Sequence, residues 1–323
     1  MSTFINPFTD FGFKKLFGEE SALPRLKSFI EDALELAQPI RDLQFMSSEQ
    51  LGSCDDERKA VYDIYCTAED GSHFIVELQR AKQHFFKDRT VFYSSFPIRS
   101  QAKKGDWNYK LEPVYCLGIL DFSFSDTDPL RWHHIVQLKD QDGVVFYDKL
   151  TFAFLELDKF IKPLEECSSH LEYWCYMLRH MDELSDVPAP LSSDPLVSSA
   201  FDAALLLNMP KDEQYKYEES LKIYRDLTNV VDTAYDDGVA SMENERNAAI
   251  ARAEKEKVRA EEEKARAEAE KARAEEEKAR AEAEKVRAEA EKARAEEEKA
   301  RAEEEKARAD ALFAELQKFK NSE

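Results

Sequence analysis

Three oxygen-bearing side chains, Asp63, Glu77 and Gln79, have the spacing of a metal-binding group on a β-hairpin. They lie in the segment VYDIYCTAEDGSHFIVELQR, residues 61–80, in which two alternating apolar runs flank a turn that ends in glycine. A three-residue loop at 69–71, with its glycine in the left-handed conformation, is a favoured hairpin connection. Asp63 and Glu77 are then equally far from the loop centre, so the sequence predicts that they lie opposite each other.

Both carboxylates and the Gln79 amide are predicted to share one face of the hairpin, because side chains alternate between the faces of a strand. The opposite face is apolar and carries Phe74, Val76 and Leu78. Like charges directly opposite on a sheet are destabilising. The facing pair therefore predicts a counter-cation, most simply a hard divalent metal ion such as Mg²⁺, with Mn²⁺ or Ca²⁺ as alternatives. Spacing alone leaves open an ordinary polar strand face that binds nothing.

A basic segment follows the acidic strand. Residues 80–110 hold eight Lys and Arg residues and only two acidic residues. We expect a helix from about Lys82 to about Gly105, in which Pro97 causes a kink or a break. The candidate ligands of DNA phosphates are Lys82, Lys87, Arg89, Lys103 and Lys104. Phosphate contacts of this kind position a nucleic acid without reading its sequence. A solvated helix surface is the equally weighted alternative.

The overall charge restricts where a nucleic acid could bind. The chain has 323 residues, with 46 Lys and Arg against 67 Asp and Glu, for a net charge of −21. Residues 121–242 alone hold 24 acidic and 10 basic residues. This region would repel a nucleic acid, so a phosphate-binding surface is expected near the N-terminus.

The cysteines and the hydropathy pattern indicate a cellular compartment. The five cysteines show no paired spacing typical of metal ligands, and most lie in apolar runs. No segment resembles a signal peptide, and no run of about 20 apolar residues suggests a membrane helix. We expect a protein of the reducing cytoplasm that does not contact a membrane.

The elements that must position the candidate site predict an α/β fold. A first helix is capped by Thr9 or Asp10 and ends near Phe17, and a second begins at Ser21. Strands are expected at residues 40–46, in the hairpin of residues 61–80, in the apolar run at residues 113–122, and in two runs joined near Gly143. This order predicts a central mixed β-sheet flanked by helices.

Three regions follow from the composition. Residues 1–160 hold the predicted sheet, residues 161–242 are acidic and helical, and residues 243–323 are a charged repeat. The repeat has the unit KARAE[AE]E with a seven-residue period from Lys264, and Ala, Glu, Lys and Arg are strong helix formers. Its core positions offer little besides alanine, which favours a single charged helix over a weak coiled coil. Self-association through this helix remains the alternative.

Four segments of the chain resemble the PD-(D/E)XK nuclease family transposases, also called Rpn-type recombination-promoting nucleases. The segments are TDFGFKKLFGEE, the D…VELQ hairpin, the basic helix with Arg89 and Tyr93, and GDWNYKLEPVYCLGILDF. Together they cover roughly residues 4–160. The resemblance implies a restriction-endonuclease-like core and divalent-metal-dependent DNA endonuclease activity, with a link to recombination or mobile elements.

The resemblance also assigns roles to individual residues. Asp63 matches the first acidic residue of the motif, Glu77 matches the second, and Gln79 stands where the superfamily has a lysine. A lysine could activate water and neutralise a phosphate, whereas Gln79 can only form hydrogen bonds: it positions the water, helps to ligate the metal ion, or marks weakened catalysis. Asp10 matches the acid of the opening D-x-x-F-K-x-x-F segment, where it either completes the metal site or only caps the first helix.

Two functional interpretations therefore follow, of which we adopt the first, a metal-dependent DNA endonuclease, and keep the second as its alternative. In the first, Asp63 and Glu77 ligate Mg²⁺, Gln79 orients the attacking water, and the basic segment binds DNA. In the second, the chain is a catalytically decayed nuclease fold that acts as an interaction module on a helical stalk. The acidic middle region and the missing lysine favour the second interpretation.

Overall fold

The structure, a computed structural model, describes residues 3–50, 60–102 and 105–320. The helices are α1 Asp10–Phe17, α2 Leu23–Ala33, α3 Phe86–Ser100, α4 His170–His180, α5 Ala189–Ser192, α6 Pro195–Ala204 and α7 Lys211–Lys320. Short 3-10 turns lie at Glu20–Ala22, Leu157–Lys159, Leu164–Glu166, Met181–Glu183 and Leu206–Asn208.

In the part of the chain that the structure describes, eight strands form two sheets. They are β1 Gln44–Phe45, β2 Glu49–Gln50, β3 Ala60–Val61, β4 Ile64–Thr67, β5 His73–Gln79, β6 Val114–Leu120, β7 His133–Lys139 and β8 Val145–Glu156. The main sheet has the order β1-β4-β5-β6-β8-β7, whereas β2 and β3 pair separately. Strands β5, β6 and β8 run parallel, and the other pairs of the main sheet are antiparallel. The predicted mixed α/β sheet with flanking helices, consistent with a restriction-endonuclease-like core, is confirmed.

The register of the β4–β5 hairpin is the one expected from the loop length. Ile64 pairs with Val76, and Thr67 pairs with His73. Gly71 has a φ of +86°, in the left-handed region that glycine tolerates best. Continuing this register by one residue places Asp63 opposite Glu77.

Helices cover both faces of the sheet, but unequally. The larger core cluster includes Phe74, Val76 and Leu78 of β5, and it is packed with side chains of α1, α2, α4 and α6. The smaller cluster lies on the opposite face, where α3 contributes Phe86 and Phe96. The carboxylate face of the hairpin is therefore the face that α3 covers, and it is more enclosed than a free polar face.

Helix α3 is shorter than the sequence predicted. It begins at Phe86 instead of near Lys82, because Phe85 adopts a left-handed conformation with a φ of 60°. It also continues through Pro97, although proline removes one helical hydrogen bond. The carbonyl oxygen of Tyr93, four residues earlier, instead accepts a hydrogen bond of 3.0 Å from the Tyr62 hydroxyl.

The contacts divide the chain into two compact units, Met1–Tyr235 and Asp236–Glu323. Helices α4 and α6 share the larger core with α1 and α2, so the predicted boundary at residue 160 does not coincide with a break in that core. In the second unit, i,i+4 ion pairs such as Glu276–Arg280 and Glu297–Arg301 line the predicted helix. Among the described residues, none of the helices combines the length and apolarity that crossing a membrane requires.

Candidate active site

Asp63 lies immediately before β4 and is fixed by the neighbouring strand. Its Oδ2 atom accepts a hydrogen bond of 2.7 Å from the backbone N–H of Leu78. Leu78 stands between the other two candidate residues on β5, so this bond ties the Asp63 carboxylate to the strand that carries them. The second oxygen of Asp63 does not take part in this bond.

Glu77 has a buried carboxylate that lies beside Arg89. Its side chain is only 15% exposed, and Oε2 lies 3.6 Å from Nη2 of Arg89. The other oxygen, Oε1, is buried and has no hydrogen-bond partner among the described residues. A buried carboxylate oxygen is costly when it is unpaired, so this atom is where a ligand is most needed.

The two carboxylates oppose each other's ionisation. Burial raises the pKa of Glu77, and the negative charge of Asp63 raises it further, while Arg89 offsets part of the effect. Burial also raises the pKa of Asp63, although the Leu78 N–H lowers it. Two desolvated carboxylates that repel each other would both be stabilised by a bound cation.

Gln79 is buried, and both ends of its amide are in use. Its Oε1 atom accepts a hydrogen bond of 2.8 Å from Arg89 Nη2, and its Nε2 donates one of 3.1 Å to the carbonyl oxygen of Ala81. The amide is thus held in one orientation, with its oxygen toward the guanidinium.

A small cavity adjoins Glu77. It is lined in part by Glu77, Arg89, Tyr93 and Gly118, and its volume of about 10 Å³ is near the minimum for one water molecule. Gly118 pairs with Glu77 across β5 and β6. A Cβ atom at Gly118 would come within 2.9 Å of the Phe154 ring. Glycine is therefore required here by close packing.

Asp10 does not cap α1. The cap is Thr9, whose hydroxyl oxygen accepts a hydrogen bond from the N–H of Gly12. Asp10 is exposed and forms an ion pair of 3.0 Å with Lys14. Its charge still raises the pKa of Asp63, so it lies within electrostatic reach of the site. Within the described ranges, three or more His, Cys, Asp or Glu side chains nowhere form a group able to hold a metal ion.

The predicted phosphate-binding residues have different environments. Lys82 is exposed but precedes α3. Lys87 is exposed on α3 and pairs with Asp126 at 2.8 Å. Arg89 turns toward Glu77 and Gln79, as described above. Lys103 and Lys104 lie outside the described residues.

Sequence reasoning did not single out Asp121, an acidic residue whose main chain adjoins that of Gln79 and whose carboxylate accepts a hydrogen bond from the Tyr224 hydroxyl. Asp121 directly follows β6, and its backbone N–H donates a hydrogen bond of 2.9 Å to the carbonyl oxygen of Gln79. Burial raises the pKa of the Asp121 side chain to about 6. Its position at the carboxyl end of a buried parallel strand, where α/β folds commonly place ligands, was the signal available in the sequence.

A second cleft reaches the site from α1. It has a volume of about 300 Å³, and its lining includes Lys14, Lys15 and Asp63. The charge of Lys14 lowers the pKa of Asp63 and so acts against the effect of burial. Both lysines are already in ion pairs, Lys14 with Asp10 and Lys15 with Glu19 and Glu213, and Glu19 also lines the cleft.

The chain matches a known protein family. A family model described as PD-(D/E)XK nuclease family transposase matches residues 7–234. The match extends beyond the segments that carried the resemblance and includes α4, α6 and the first part of α7. No curated protein and no solved structure shows significant similarity to the chain.

Proposed function

Because this chain belongs to the PD-(D/E)XK nuclease family transposases, we propose that it is a metal-dependent endonuclease that hydrolyses phosphodiester bonds in DNA. Membership of the family indicates a nuclease-like function, that of a hydrolase acting on nucleic acids. The metal dependence, the DNA substrate and endonucleolytic cleavage are the proposal. A role in recombination or mobile elements is the biological setting that the family name suggests.

The observation that carries the proposal is the desolvated carboxylate pair on the hairpin. Asp63 stands opposite Glu77 when the hairpin register is extended by one residue, and burial raises the pKa of both. Glu77 Oε1 has no hydrogen-bond partner among the described residues. Such a pair is unfavourable by itself but suits a hard divalent cation, which prefers carboxylate oxygens.

The residues present fit a magnesium ion. Asp63 and Glu77 would hold Mg²⁺, or Mn²⁺ or Ca²⁺ in its place, and water or main-chain oxygens would complete the coordination. When bound, such an ion supplies polarisation of a phosphate oxygen and a water molecule of lowered pKa. Asp10, which is paired with Lys14, is the candidate for an additional, outer carboxylate.

The other residues bind and orient the DNA. Lys82 and Lys87 are exposed and near the carboxylate pair in sequence, so they are proposed to contact backbone phosphates, with Lys103 and Lys104 as further candidates. Contacts of this kind supply affinity that does not depend on DNA sequence. Gln79 stays in the site as a hydrogen-bonding group.

The test is cleavage of supercoiled plasmid by the full-length protein with Mg²⁺, Mn²⁺ or Ca²⁺ and with EDTA. Asp63→Asn and Glu77→Gln keep the size of each side chain and remove its charge. Each should abolish cleavage and also the rise in melting temperature that the metal ion gives the wild type. Asp142→Asn, which changes an exposed carboxylate in the β7–β8 turn, should leave both unchanged.

The thermal shift separates metal binding from catalysis. A wild type that binds metal ions but does not cut DNA would overturn the endonuclease assignment. A wild type and an Asp63→Asn variant that are equally inert, with no thermal shift from any of the three ions, would favour the interaction module.

A further inference from the structure

The amide of Gln79 already forms hydrogen bonds with protein groups through both its oxygen and its nitrogen. Its oxygen accepts from Arg89, and its NH₂ group donates to the Ala81 carbonyl oxygen. An amide has two acceptor sites on oxygen and two N–H donors, and here both ends are already directed at protein groups. Orienting water through Gln79 would have to use the remaining N–H or the remaining acceptor site of a buried side chain.

Arg89 is fixed beside the carboxylate pair by several contacts. Its Nη2 donates to Gln79 Oε1 at 2.8 Å and lies 3.6 Å from Glu77 Oε2, while its Nη1 donates to Gln83 Oε1 at 2.7 Å. The guanidinium also lies over the rings of Phe86 and Tyr93 on the same helix, at 5.6 and 5.4 Å. Its side chain is still 31% exposed, so one part of it remains accessible.

A guanidinium group fixed at this position can stabilise negative charge on a phosphate. Phosphodiester hydrolysis builds negative charge on the phosphate oxygens in the transition state, and a cation that is already in place stabilises that charge without reorganisation. Arginine keeps its charge at all relevant pH values and bonds phosphate oxygens through a fixed pair of N–H groups.

We propose that Arg89, delivered from α3, supplies the positive charge that the superfamily's lysine would supply from position 79, and that Gln79 is a positioning residue that holds Arg89 by its amide oxygen. The inference rests on the proposed nuclease function. It changes the role of Arg89 from a general phosphate contact to a catalytic residue. It also explains why a neutral side chain stands at position 79: a lysine there would face the guanidinium without an acceptor to offer it.

The experiment is single-turnover cleavage of a labelled duplex at saturating protein concentration with Mg²⁺. Arg89→Gln keeps hydrogen-bond donors without the charge, and it should slow the cleavage step by roughly 10²- to 10³-fold, the usual cost of removing one such donor. Arg89→Lys should retain part of the rate. The matched control is Arg99→Ala, because Arg99 also lies on α3 over an aromatic ring, that of Phe96 at 5.2 Å. It should cleave like the wild type.

Position 79 provides the decisive comparison. Gln79→Lys alone should be slower than the wild type, because it brings two cations together and removes the acceptor of Arg89. The double variant Gln79→Lys with Arg89→Gln should be faster than either single variant, since one cation is then present again. Circular dichroism and the metal-induced thermal shift check that each variant folds and still binds the ion.

The outcomes are distinct. A wild type that cleaves while Arg89→Gln stays within about twofold of it overturns the inference and leaves the nuclease function standing. A double variant no faster than Arg89→Gln overturns the idea that the two positions share one charge. A wild type that cuts DNA with none of the divalent ions overturns the inference together with the proposed function.

Discussion

The ion pair between Lys87 and Asp126 allows single substitutions either to weaken or to strengthen the proposed binding of DNA. Lys87 Nζ lies 2.8 Å from Asp126 Oδ2, and the two side chains are 52% and 69% exposed. A lysine in this pair must leave its partner before it can bind a phosphate. Lys87→Ala should therefore weaken DNA binding, whereas Asp126→Asn should strengthen it.

The exposure of the pair sets the size of the effect. Water and salt screen an exposed ion pair, so it contributes little to stability. Releasing Lys87 should thus tighten DNA binding only about two- to fivefold. Lys87→Ala should instead lower the slope of log K against log salt concentration by about 0.9, the value for one phosphate contact on duplex DNA.

The assay is fluorescence anisotropy of a labelled duplex with full-length protein in EDTA, between about 50 and about 200 mM KCl. Asp126→Asn should have a smaller effect in a Lys87→Ala background, because Lys87 is no longer there to be released. Lys139→Ala on β7 is the control for the loss of an exposed positive charge. A salt slope that Lys87→Ala leaves unchanged would refute the reasoning and make the pair an ordinary surface contact.

Three further predictions concern stability and the C-terminal helix. Gly118→Ala should lower the free energy of unfolding by about 1–3 kcal/mol in urea denaturation, since its methyl group overpacks the smaller core; an unchanged midpoint would mean that the neighbouring ring moves freely. His170, which pairs with Asp32 at 2.8 Å and Asp194 at 2.9 Å, has a raised pKa because these partners favour its charged form. The charged pairing of His170 should contribute about 1 kcal/mol to the free energy of unfolding. This contribution should be complete below the unfolded pKa of about 6.5 and should be lost as the pH rises through the higher pKa of the folded state. His170→Gln should therefore lower the free energy of unfolding at about pH 5 but change it little at about pH 9. Deleting residues 264–305, six whole heptads, should leave the melting temperature of the first unit unchanged. Circular dichroism of residues 243–323 over a roughly hundredfold concentration range should give a constant melting temperature if the segment is a single charged helix. A melting temperature that rises with concentration would establish a coiled coil.

Local patterns in the sequence determined the hairpin and its register. Strand alternation and a three-residue loop ending in Gly71 were enough to place Asp63 opposite Glu77, because both rules act between residues close in the chain. The buried strand β6 and the helix of the charged repeat were predictable for the same reason. The choice between Thr9 and Asp10 as helix cap was not, since both residue types suit that position.

Only the tertiary structure decided which partners the basic side chains of α3 contact. The same basic segment supplies Lys87, which faces Asp126, and Arg89, which faces Glu77 and Gln79. Their destinations depend on how α3 lies across the sheet and on its start at Phe86, which the left-handed Phe85 sets. The sequence by itself thus determined which carboxylates meet across the hairpin. Packing between elements distant in the chain decided how deeply they are buried and which cation reaches them.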